Sequence, residues 1–182
     1  MTRTAGLVLA AGEGRRFGGP KAPHVIDGER LVDRAVRVLR EGGCDPVVVV
    51  LGAWIGDVPD ADVVVNDGWS EGMGSSLRVG LDHLAHTFDA DVDAALVSLV
   101  DLVGLTSDAV ARLVASDAPL AAASYDGRRG HPVRFARALW PEVVGSAHGD
   151  EGARGYLAEH PPALVEVADV ASGEDLDERP GR

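Results

Sequence analysis

The chain has 182 residues, a mass of 18.9 kDa and a formal net charge of −12 at pH 7. That length suits one α/β domain and leaves little room for a second. A chain with a pI near 4.8 lacks the basic face that binds nucleic acid, and its one cysteine excludes a disulfide framework and a thiolate zinc cluster. Because the apolar runs are too short to span a bilayer and no signal-peptide pattern precedes them, we expect a cytoplasmic protein without a membrane partner.

Short apolar runs alternate with helical patterns along the chain. Apolar runs that end in glycine or turn residues predict buried strands, and apolar residues three and four apart predict helices. In chain order we predict strand 5–10, helix 31–40, strands 46–51 and 62–65, helix 75–87, strand 94–100, helix 107–115, strands 120–124 and 132–135, helix 150–159 and strand 164–167.

Repetition of strand and helix in this order predicts a doubly wound, mostly parallel α/β sheet. The two strands that flank residues 126–130 are expected to add a small antiparallel edge. We expect one domain over residues 1–176, with residues 177–182 as a frayed tail.

Positive charge is concentrated near the start of this acidic chain, where residues 1–40 carry a net positive charge. Four arginines between residues 30 and 40 recur at the spacing of an exposed helix face. Arg15, Arg16 and Lys21 lie instead in a glycine-rich loop, and Lys21 is the only lysine of the chain. These three residues indicate a local site for an anion.

The glycine-rich loop, residues 9–21, reads LAAGEGRRFGGPK and follows the first predicted strand. In open α/β sheets, ligands bind beyond the carboxyl ends of the strands, which is where this loop lies. Glycines let the backbone approach a ligand and turn N–H groups toward an anion, and Arg16 and Lys21 add positive charge. The alternative is a structural loop with incidental glycines.

Two familiar phosphate-binding motifs do not fit the loop. A dinucleotide fingerprint requires a third glycine where this chain has Phe17, and no acidic residue ends the next long strand. A P-loop requires Gly-Lys followed by a hydroxyl, whereas here Pro20 precedes the lysine and Ala22 follows it.

The stretch LVLAAGEGRRFGGPKA at residues 7–22 resembles the LAAGxGxRMGxPK signature of MobA-like nucleotidyltransferases. The resemblance implies a Rossmann-like fold of the nucleotide-diphospho-sugar transferase type. Within the family, LAAG is typical of molybdenum cofactor cytidylyltransferases, whereas guanylyltransferases tend to show LAGG. Further segments resemble the family in the same order: NDGWSEGMGSSLRVGL (66–81), VDLVGLT (100–106), GRRGHPVRF (127–135), GDEGAR (149–154) and DVASGEDL (169–176).

The resemblance implies a Mg²⁺-dependent enzyme that transfers CMP from CTP to a molybdopterin-type phosphate and releases pyrophosphate. Catalysis of this reaction is mainly positioning and charge neutralisation, and the implied catalytic residues are Arg16, Lys21 and Asp101. The implied nucleotide-binding residues are Ala10, Ala11, Gly12, Gly14, Arg16, Lys21, Asn66, Gly74, Ser75 and Ser76.

Asp101 follows a buried apolar run, at the end of a strand where ligands bind, and is the implied Mg²⁺ ligand. Its alternative role is to cap the helix that follows. Asn66, the only asparagine, is alternatively a turn residue before Gly68, and Ser75 and Ser76 are alternatively simple helix caps.

On the acceptor side, the resemblance implies contacts by His131, Asp150 and Arg154. The alternative for His131 is packing beneath a solvated hairpin. Asp150 and Arg154 are four residues apart, so on one helix face they are alternatively a surface ion pair.

Two departures from the family bear on the metal site. After the fourth strand the family usually reads D-Q/M-P, whereas this chain has Leu102 and Val103 after Asp101. Near the C-terminus the family tends to read DIDTPEDL, and its middle Asp, often a metal contact, corresponds to Ala171 here. Asp169 is the candidate replacement ligand, and on this alignment an Asp at position 171 is expected to keep or raise activity.

Three other functions stay open at this point. The first is a nucleotidyltransferase that uses GTP or another acceptor. The second is a nucleotide-binding accessory protein for a molybdoenzyme or its chaperone, without efficient turnover. The third is an NAD(P)H-dependent oxidoreductase of the nicotine blue type, for which the nicotinamide fingerprint is missing.

Overall fold

A computed structural model of the protein describes residues 3–88 and 91–177. Of the expected C-terminal tail, residues 178–182 lie outside this part. Within it, no helix is both long and apolar enough to cross a membrane. The elements are β1 (Thr4–Leu9), β2 (Val25–Ile26), β3 (Glu29–Arg30), α1 (Leu31–Glu41), β4 (Val47–Leu51), β5 (Asp62–Val65), α2 (Met73–Thr87), β6 (Ala94–Leu99), α3 (Ser107–Val114), β7 (Leu120–Tyr125), β8 (Arg128–Ala136), α4 (Trp140–Ser146), α5 (Arg154–Glu159) and β9 (Ala163–Glu166), with short 3₁₀ turns at Trp69–Glu71, Arg137–Leu139 and Gly149–Glu151.

The main sheet has the strand order β5-β4-β1-β6-β8-β7-β9. The strands β5, β4, β1 and β6 are parallel, β8 runs antiparallel to both β6 and β7, and β9 is parallel to β7. The prediction of a doubly wound, mostly parallel α/β sheet is therefore confirmed. The antiparallel pair was expected at an edge, but it lies inside the sheet because β9 pairs with β7 and forms the outer strand.

The central strands are buried on both faces, which explains their continuous apolar sequences. On one face α1 and α3 pack together over the sheet, burying residues such as Leu39 and Leu113. On the other face α2 and α4 pack together, burying residues such as Leu81 and Val143. Each helix layer packs against one face of the sheet and covers one hydrophobic core. The tips of the strands are not covered by these helices and are available to form a site.

The predicted helix 150–159 is interrupted. Asp150 lies in a 3₁₀ turn, Gly152 adopts a φ of 54°, and α5 begins only at Arg154. A positive φ ends regular helix, so Asp150 and Arg154 are not an i,i+4 pair on one helix face. The β2–β3 hairpin and α4 were not predicted, because they are too short for a clear periodic pattern.

Gly80 allows α2 to lie close to the sheet. A Cβ at this position would lie 2.6 Å from Leu7 Cδ1 and 3.0 Å from Val50 Cγ2, and both of these side chains are completely buried. We expect Gly80→Ala to lower the free energy of unfolding by about 1–3 kcal/mol through overpacking.

The matched control for that substitution is Gly145→Ala in α4, where an added Cβ meets no atom within 4 Å in the described structure. Chemical denaturation of both variants should show loss for Gly80→Ala and no loss for Gly145→Ala. Equal stability of the two variants would contradict this account of the α2–sheet contact.

Candidate active site

A cleft of about 560 Å³ opens at the carboxyl ends of β1 and β6. Strand β1 is the switch point of the sheet, because the chain continues to β4 on one side and returns to β6 on the other. Ligands in open α/β sheets bind at such points. The cleft is lined by the loop after β1, the tip of β6 and the start of α2, and its lining includes Ala10, Ala11, Gly12, Gly14, Lys21, Ser76 and Asp101.

The glycine-rich loop presents a row of backbone donors. Its base is fixed, because Ala10 N–H donates to the Val50 carbonyl (3.0 Å) and the Ala11 carbonyl accepts from Ala53 (3.0 Å). In the described part of the chain, the N–H groups of residues 12–16 donate no hydrogen bond. Consecutive free donors of this kind can form an anion-binding concavity, so the prediction of an anion site at this loop stays a prediction.

Gly14 closes the loop on itself. Its φ is 62°, and its carbonyl accepts hydrogen bonds from Gly18 (2.8 Å) and Gly19 (3.0 Å). A side chain at Gly14 would collide with the Gly19 carbonyl oxygen. At Gly12, by contrast, an added Cβ meets no described atom within 4 Å, so the backbone there faces open space. Glycine is therefore required at position 14 for conformation, and at position 12 it keeps the cleft open.

Lys21 and Asp101 meet at the cleft although they are 80 residues apart in sequence. Lys21 Nζ donates a hydrogen bond to Asp101 Oδ2 at 2.7 Å, and each side chain is 17% exposed. The ammonium also lies 5.9 Å from the centre of the Phe17 ring. The pair offers a cation for phosphate oxygens and a carboxylate for a metal ion, and each group keeps the other neutralised in the absence of a ligand.

The two arginines of the loop are placed differently. Arg15 lines the cleft and forms an ion pair with Glu13. Arg16 is exposed and does not line the cleft. The structure thus brings Lys21 and Asp101 together but leaves Arg16 at the outer side of the loop.

Asn66 anchors the turn that precedes α2. Its side chain is buried; Nδ2 donates to Ser75 Oγ (2.9 Å) and Ser76 Oγ (3.0 Å), and Oδ1 accepts from Gly68 N–H (2.9 Å). The Ser75 hydroxyl in turn donates to the Gly72 carbonyl at 2.8 Å. Asn66 and Ser75 therefore hold the wall of the cleft in place, and Ser76 and Gly72 line it.

Gly72 and Gly74 let residues 147–150 lie against the start of α2. A Cβ at Gly74 would lie 2.8 Å from the His148 backbone, and one at Gly72 would lie 2.5 Å from Asp150 Oδ1. Gly74 is therefore a packing position, and it helps to place Asp150 at the border between the cleft and its neighbouring pocket.

A second pocket of about 360 Å³ adjoins the cleft and shares Leu9, Leu99 and Asp150 with it. Its floor is apolar, formed by side chains of β6, β8, α2 and α5. Its polar lining consists of Arg129, His131, Asp150, Glu151, Arg154 and Asp175. The three residues predicted on the acceptor side are thus brought to one pocket, and Arg129 joins them although it was not among the predicted site residues.

His131 lies between the pocket and the sheet. Its Nδ1 is buried and has no hydrogen-bond partner among the described residues, while its carbonyl accepts from Tyr125 Oη at 2.7 Å. Burial lowers the pKa of His131, and this effect is opposed by the Val97 backbone and by the Asp101 carboxylate. The imidazole is therefore neutral near pH 7 and offers a hydrogen bond rather than a charge.

Asp175 was not predicted as a site residue, yet it lines the second pocket. Burial raises the pKa of Asp175; Asp101 and Asp177 raise it further, while Lys21 lowers it. The only sequence signal was the family-like GEDL run at 173–176. No cluster of three or more His, Cys, Asp or Glu side chains forms a complete metal centre within residues 3–88 and 91–177.

Asp169 and Ala171 lie away from both pockets. The Asp169 carboxylate accepts hydrogen bonds from both terminal nitrogens of Arg112 (2.6 and 2.7 Å), which lower the pKa of Asp169. Ala171 packs against the hydrophobic core on the α1–α3 side of the sheet. The structure therefore does not bring Asp169 to Asp101, and a carboxylate at position 171 would enter an apolar environment.

A family model described as a MobA-like NTP transferase domain matches residues 6–164. The chain belongs to the MobA-like NTP transferase family. This match confirms the resemblance seen in the sequence and supports a nucleotidyltransferase.

The chain is 40% identical over 190 residues to the nicotine blue oxidoreductase of Paenarthrobacter nicotinovorans, covering 94% of this chain and 91% of that protein. It is 59% identical over 46 residues to a probable molybdenum cofactor guanylyltransferase of Opitutus terrae, covering 25% and 23% of the two chains. The crystal structure of a homologue of Mycobacterium tuberculosis Rv0371c, from Mycobacterium sp. strain JC1, has a TM-score of 0.78 and 26% identity, covering 97% of this chain and 91% of that one.

Substitution of Asn66 tests whether its hydrogen bonds stabilise the turn before α2. We expect Asn66→Ala to lower the free energy of unfolding by about 1–3 kcal/mol, because buried polar groups of Ser76 and Gly68 lose their partner. Asp67→Ala changes an exposed neighbour and is expected to leave stability within about 0.5 kcal/mol of wild type. Urea denaturation that gave equal loss for both variants would contradict the anchoring role.

Because Ala171 packs against the hydrophobic core and does not line either pocket, the structure gives no support to the expectation that an Asp there keeps or raises activity. We expect Ala171→Asp to lower the free energy of unfolding by about 1–3 kcal/mol, because its carboxylate would be partly buried against the apolar core. The same measurement on Ala171→Ser, which adds no charge, separates the cost of charge from that of volume. An Asp variant as stable as wild type would show that position 171 reaches solvent or a cation.

Proposed function

We propose that the protein acts in the cytoplasm and transfers CMP from CTP to a molybdopterin-type phosphate acceptor, with release of pyrophosphate. The LAAG run at residues 9–12 favours CTP over GTP. One observation carries the proposal: the row of free N–H groups at residues 12–16 lies at the switch point of the sheet, beside the Lys21–Asp101 pair. A molybdoenzyme or its chaperone is the proposed recipient of the product.

In the proposed step, an oxygen of the acceptor phosphate attacks the α-phosphorus of the nucleotide and forms a new P–O bond. The bond from the α-phosphorus to the bridging oxygen breaks, and its electron pair leaves with pyrophosphate. Positioning and neutralisation of charge dominate the catalysis of such a step. A covalent enzyme intermediate is therefore not part of the proposal.

Different residues of the cleft are proposed to neutralise different charges of the triphosphate and its cation. Free N–H groups of residues 12–16 donate to the triphosphate, and Lys21 contacts the oxygens that become pyrophosphate. Arg16 adds a guanidinium on the same loop. The carboxylate of Asp101 fits a divalent cation, because Mg²⁺ prefers carboxylate and phosphate oxygens. When bound, Mg²⁺ neutralises charge on the phosphates.

The second pocket supports the position of the acceptor. Its apolar floor suits a heterocyclic body, and Arg129 and Arg154 lie among the polar residues that suit an anionic end. The neutral His131 offers a hydrogen bond without adding charge. Because the pocket adjoins the cleft at Leu9 and Leu99, an acceptor bound there would lie next to a nucleotide bound in the cleft.

The test is pyrophosphate release by the purified protein with each nucleoside triphosphate, Mg²⁺ and molybdopterin. We expect the highest rate with CTP. A GTP-dependent rate would replace the donor but keep the reaction class. Saturable CTP binding without pyrophosphate would support the accessory function, and the absence of nucleotide binding would overturn the proposal.

Removal of either member of the ion pair is expected to abolish turnover. Lys21→Ala removes a cation aimed at the leaving group and Asp101→Asn removes the carboxylate, so each is expected to reduce kcat by at least about 100-fold. Arg112→Ala, which breaks an exposed ion pair outside both pockets, is the control and should retain the wild-type rate. A wild-type rate in either pair variant would remove that residue from the mechanism.

A second candidate function is NAD(P)H-dependent reduction of a planar quinoid compound. It is favoured by the relative named nicotine blue oxidoreductase and by the apolar floor of the second pocket. The test is NADPH consumption with a quinoid dye, in which hydride passes from NADPH to the dye. Consumption without nucleotide-dependent pyrophosphate release would favour the reductase over the transferase.

A further inference from the structure

We infer that Tyr125 is a positioning residue for the acceptor, because it holds a bulge of β8 from which Arg129 and His131 face the second pocket. The inference rests on the proposed function, since that function places the acceptor in this pocket. Tyr125 itself lines neither the cleft nor the second pocket, so it acts through the residues that it holds.

The ladder between β7 and β8 is interrupted where β8 borders the second pocket. Between the pairs Ala122–Val133 and Ser124–Arg129, one residue of β7 lies opposite three residues of β8. These three, residues 130–132, are named the β8 bulge. Bulges re-aim side chains and are common beside active sites. Because the regular ladder is broken at the β8 bulge, other contacts have to fix its path.

The hydroxyl of Tyr125 provides one of these contacts. Tyr125 Oη donates a hydrogen bond to the His131 carbonyl at 2.7 Å. Burial, with a smaller contribution from the charge of Asp175, raises the pKa of Tyr125 to about 12, so the hydroxyl keeps its proton at neutral pH and remains a donor. The hydrogen bond therefore holds the backbone of the residue whose imidazole lines the pocket.

The ring of Tyr125 is held between the β8 bulge and the C-terminal segment. A Cβ at Gly130 would lie 2.9 Å from Cε2 of the ring, and a Cβ at Gly173 would lie 2.7 Å from Cδ2. The two glycines therefore let backbone from both segments pack directly against the ring. This close packing restricts the ring, which keeps its hydroxyl at the His131 carbonyl.

The turn at the end of the hairpin is fixed separately, by Glu166 of β9. Its carboxylate accepts hydrogen bonds from Ser124 Oγ (2.8 Å) and from the N–H groups of Asp126 (3.0 Å) and Gly127 (3.1 Å). These hydrogen bonds, that of Ser124 first, lower the pKa of Glu166 to about 2. The turn is thus anchored on one side of the β8 bulge and the regular ladder on the other, so the bulge between them is the part that depends on Tyr125.

The β8 bulge and the residue before it carry polar groups of the second pocket. Arg129 and His131 both line the pocket, and Arg129 Nη1 also donates to the Leu157 carbonyl at 3.3 Å. A movement of the β8 bulge therefore moves the imidazole and the guanidinium relative to the apolar floor. In the proposed function these groups contact the acceptor, whereas the nucleotide binds in the cleft. Loss of the Tyr125 contact should therefore weaken acceptor binding and leave nucleotide binding unchanged.

The experiment compares Tyr125→Phe with Tyr156→Phe, which removes the only other tyrosine hydroxyl of the chain. Tyr156 Oη donates to Glu142 at 3.4 Å, and neither residue lines the cleft or the second pocket. At saturating CTP, we expect Tyr125→Phe to raise the KM for molybdopterin by about three- to tenfold, the equivalent of one hydrogen bond. Its kcat and its KM for CTP should stay within about twofold of wild type, because only acceptor binding is lost. Tyr156→Phe should keep all three wild-type values.

A spectroscopic measurement tests the positioning without turnover. The NMR resonance of the His131 Cε1–H group, assigned by its loss in His131→Asn, reports the surroundings of the imidazole. We expect this resonance to shift in Tyr125→Phe and to keep its wild-type position in Tyr156→Phe.

An unchanged KM for molybdopterin together with an unshifted His131 resonance in Tyr125→Phe would overturn the inference and leave the proposed function standing. Equal changes in the two phenylalanine variants would also overturn it, because a general loosening of the fold would then explain them. If wild type released no pyrophosphate with any nucleoside triphosphate, the proposed function would fail, and the His131 resonance would still decide whether Tyr125 holds the β8 bulge.

Discussion

The ion pair of Lys21 and Asp101 joins the loop after β1 to the tip of β6, and the cleft depends on it. The two groups are only 17% exposed, so their attraction must offset the loss of hydration, and such a pair contributes little to stability. The ion pair instead places a positive and a negative charge side by side at the carboxyl edge of the sheet. A triphosphate and a cation can each take one partner of the pair without leaving the other charge unpaired.

The topology explains why residues from distant parts of the chain meet there. Because β8 runs antiparallel to β6, with Val97 opposite Val133, the beginning of β8 lies beyond the carboxyl end of β6. The chain segment that carries Arg129 and His131 is thereby brought to the same edge as Asp101. Strand β9 runs parallel to β7, so the chain leaves it at this edge too and crosses back to β6 with Asp175. One antiparallel strand in a parallel sheet thus creates the second pocket.

Regular patterns made the central part of this architecture predictable. Apolar runs located β1 and every strand from β4 to β6; the end of β1 located the glycine-rich loop, and the end of β6 located Asp101. The role of Asn66 was left open between a ligand contact and a turn, and its hydrogen bonds place it in the turn. Residues 167–177 have no period from which side-chain direction can be read, so matching them to a family pattern pointed to Asp169, whereas packing brings Asp175 to the site. Gly152 has a positive φ and interrupts a helix that the sequence pattern predicted to be continuous. The interruption could not be predicted, because hydrophobic spacing does not report backbone φ angles.

The net charge of −12 places a further constraint on how this site binds an anion. A strongly acidic surface repels a free triphosphate at long range, and the repulsion extends over about 10 Å at moderate ionic strength. In the proposed function, the free N–H groups at residues 12–16 attract phosphate without adding a charge that would need its own counterion. In the proposed function, a nucleotide that arrives with its divalent cation carries less negative charge, so the acidic surface repels it less than the free nucleotide. On that proposal, the acidity of the chain and the donors of its loop both favour the metal–nucleotide complex as the substrate form.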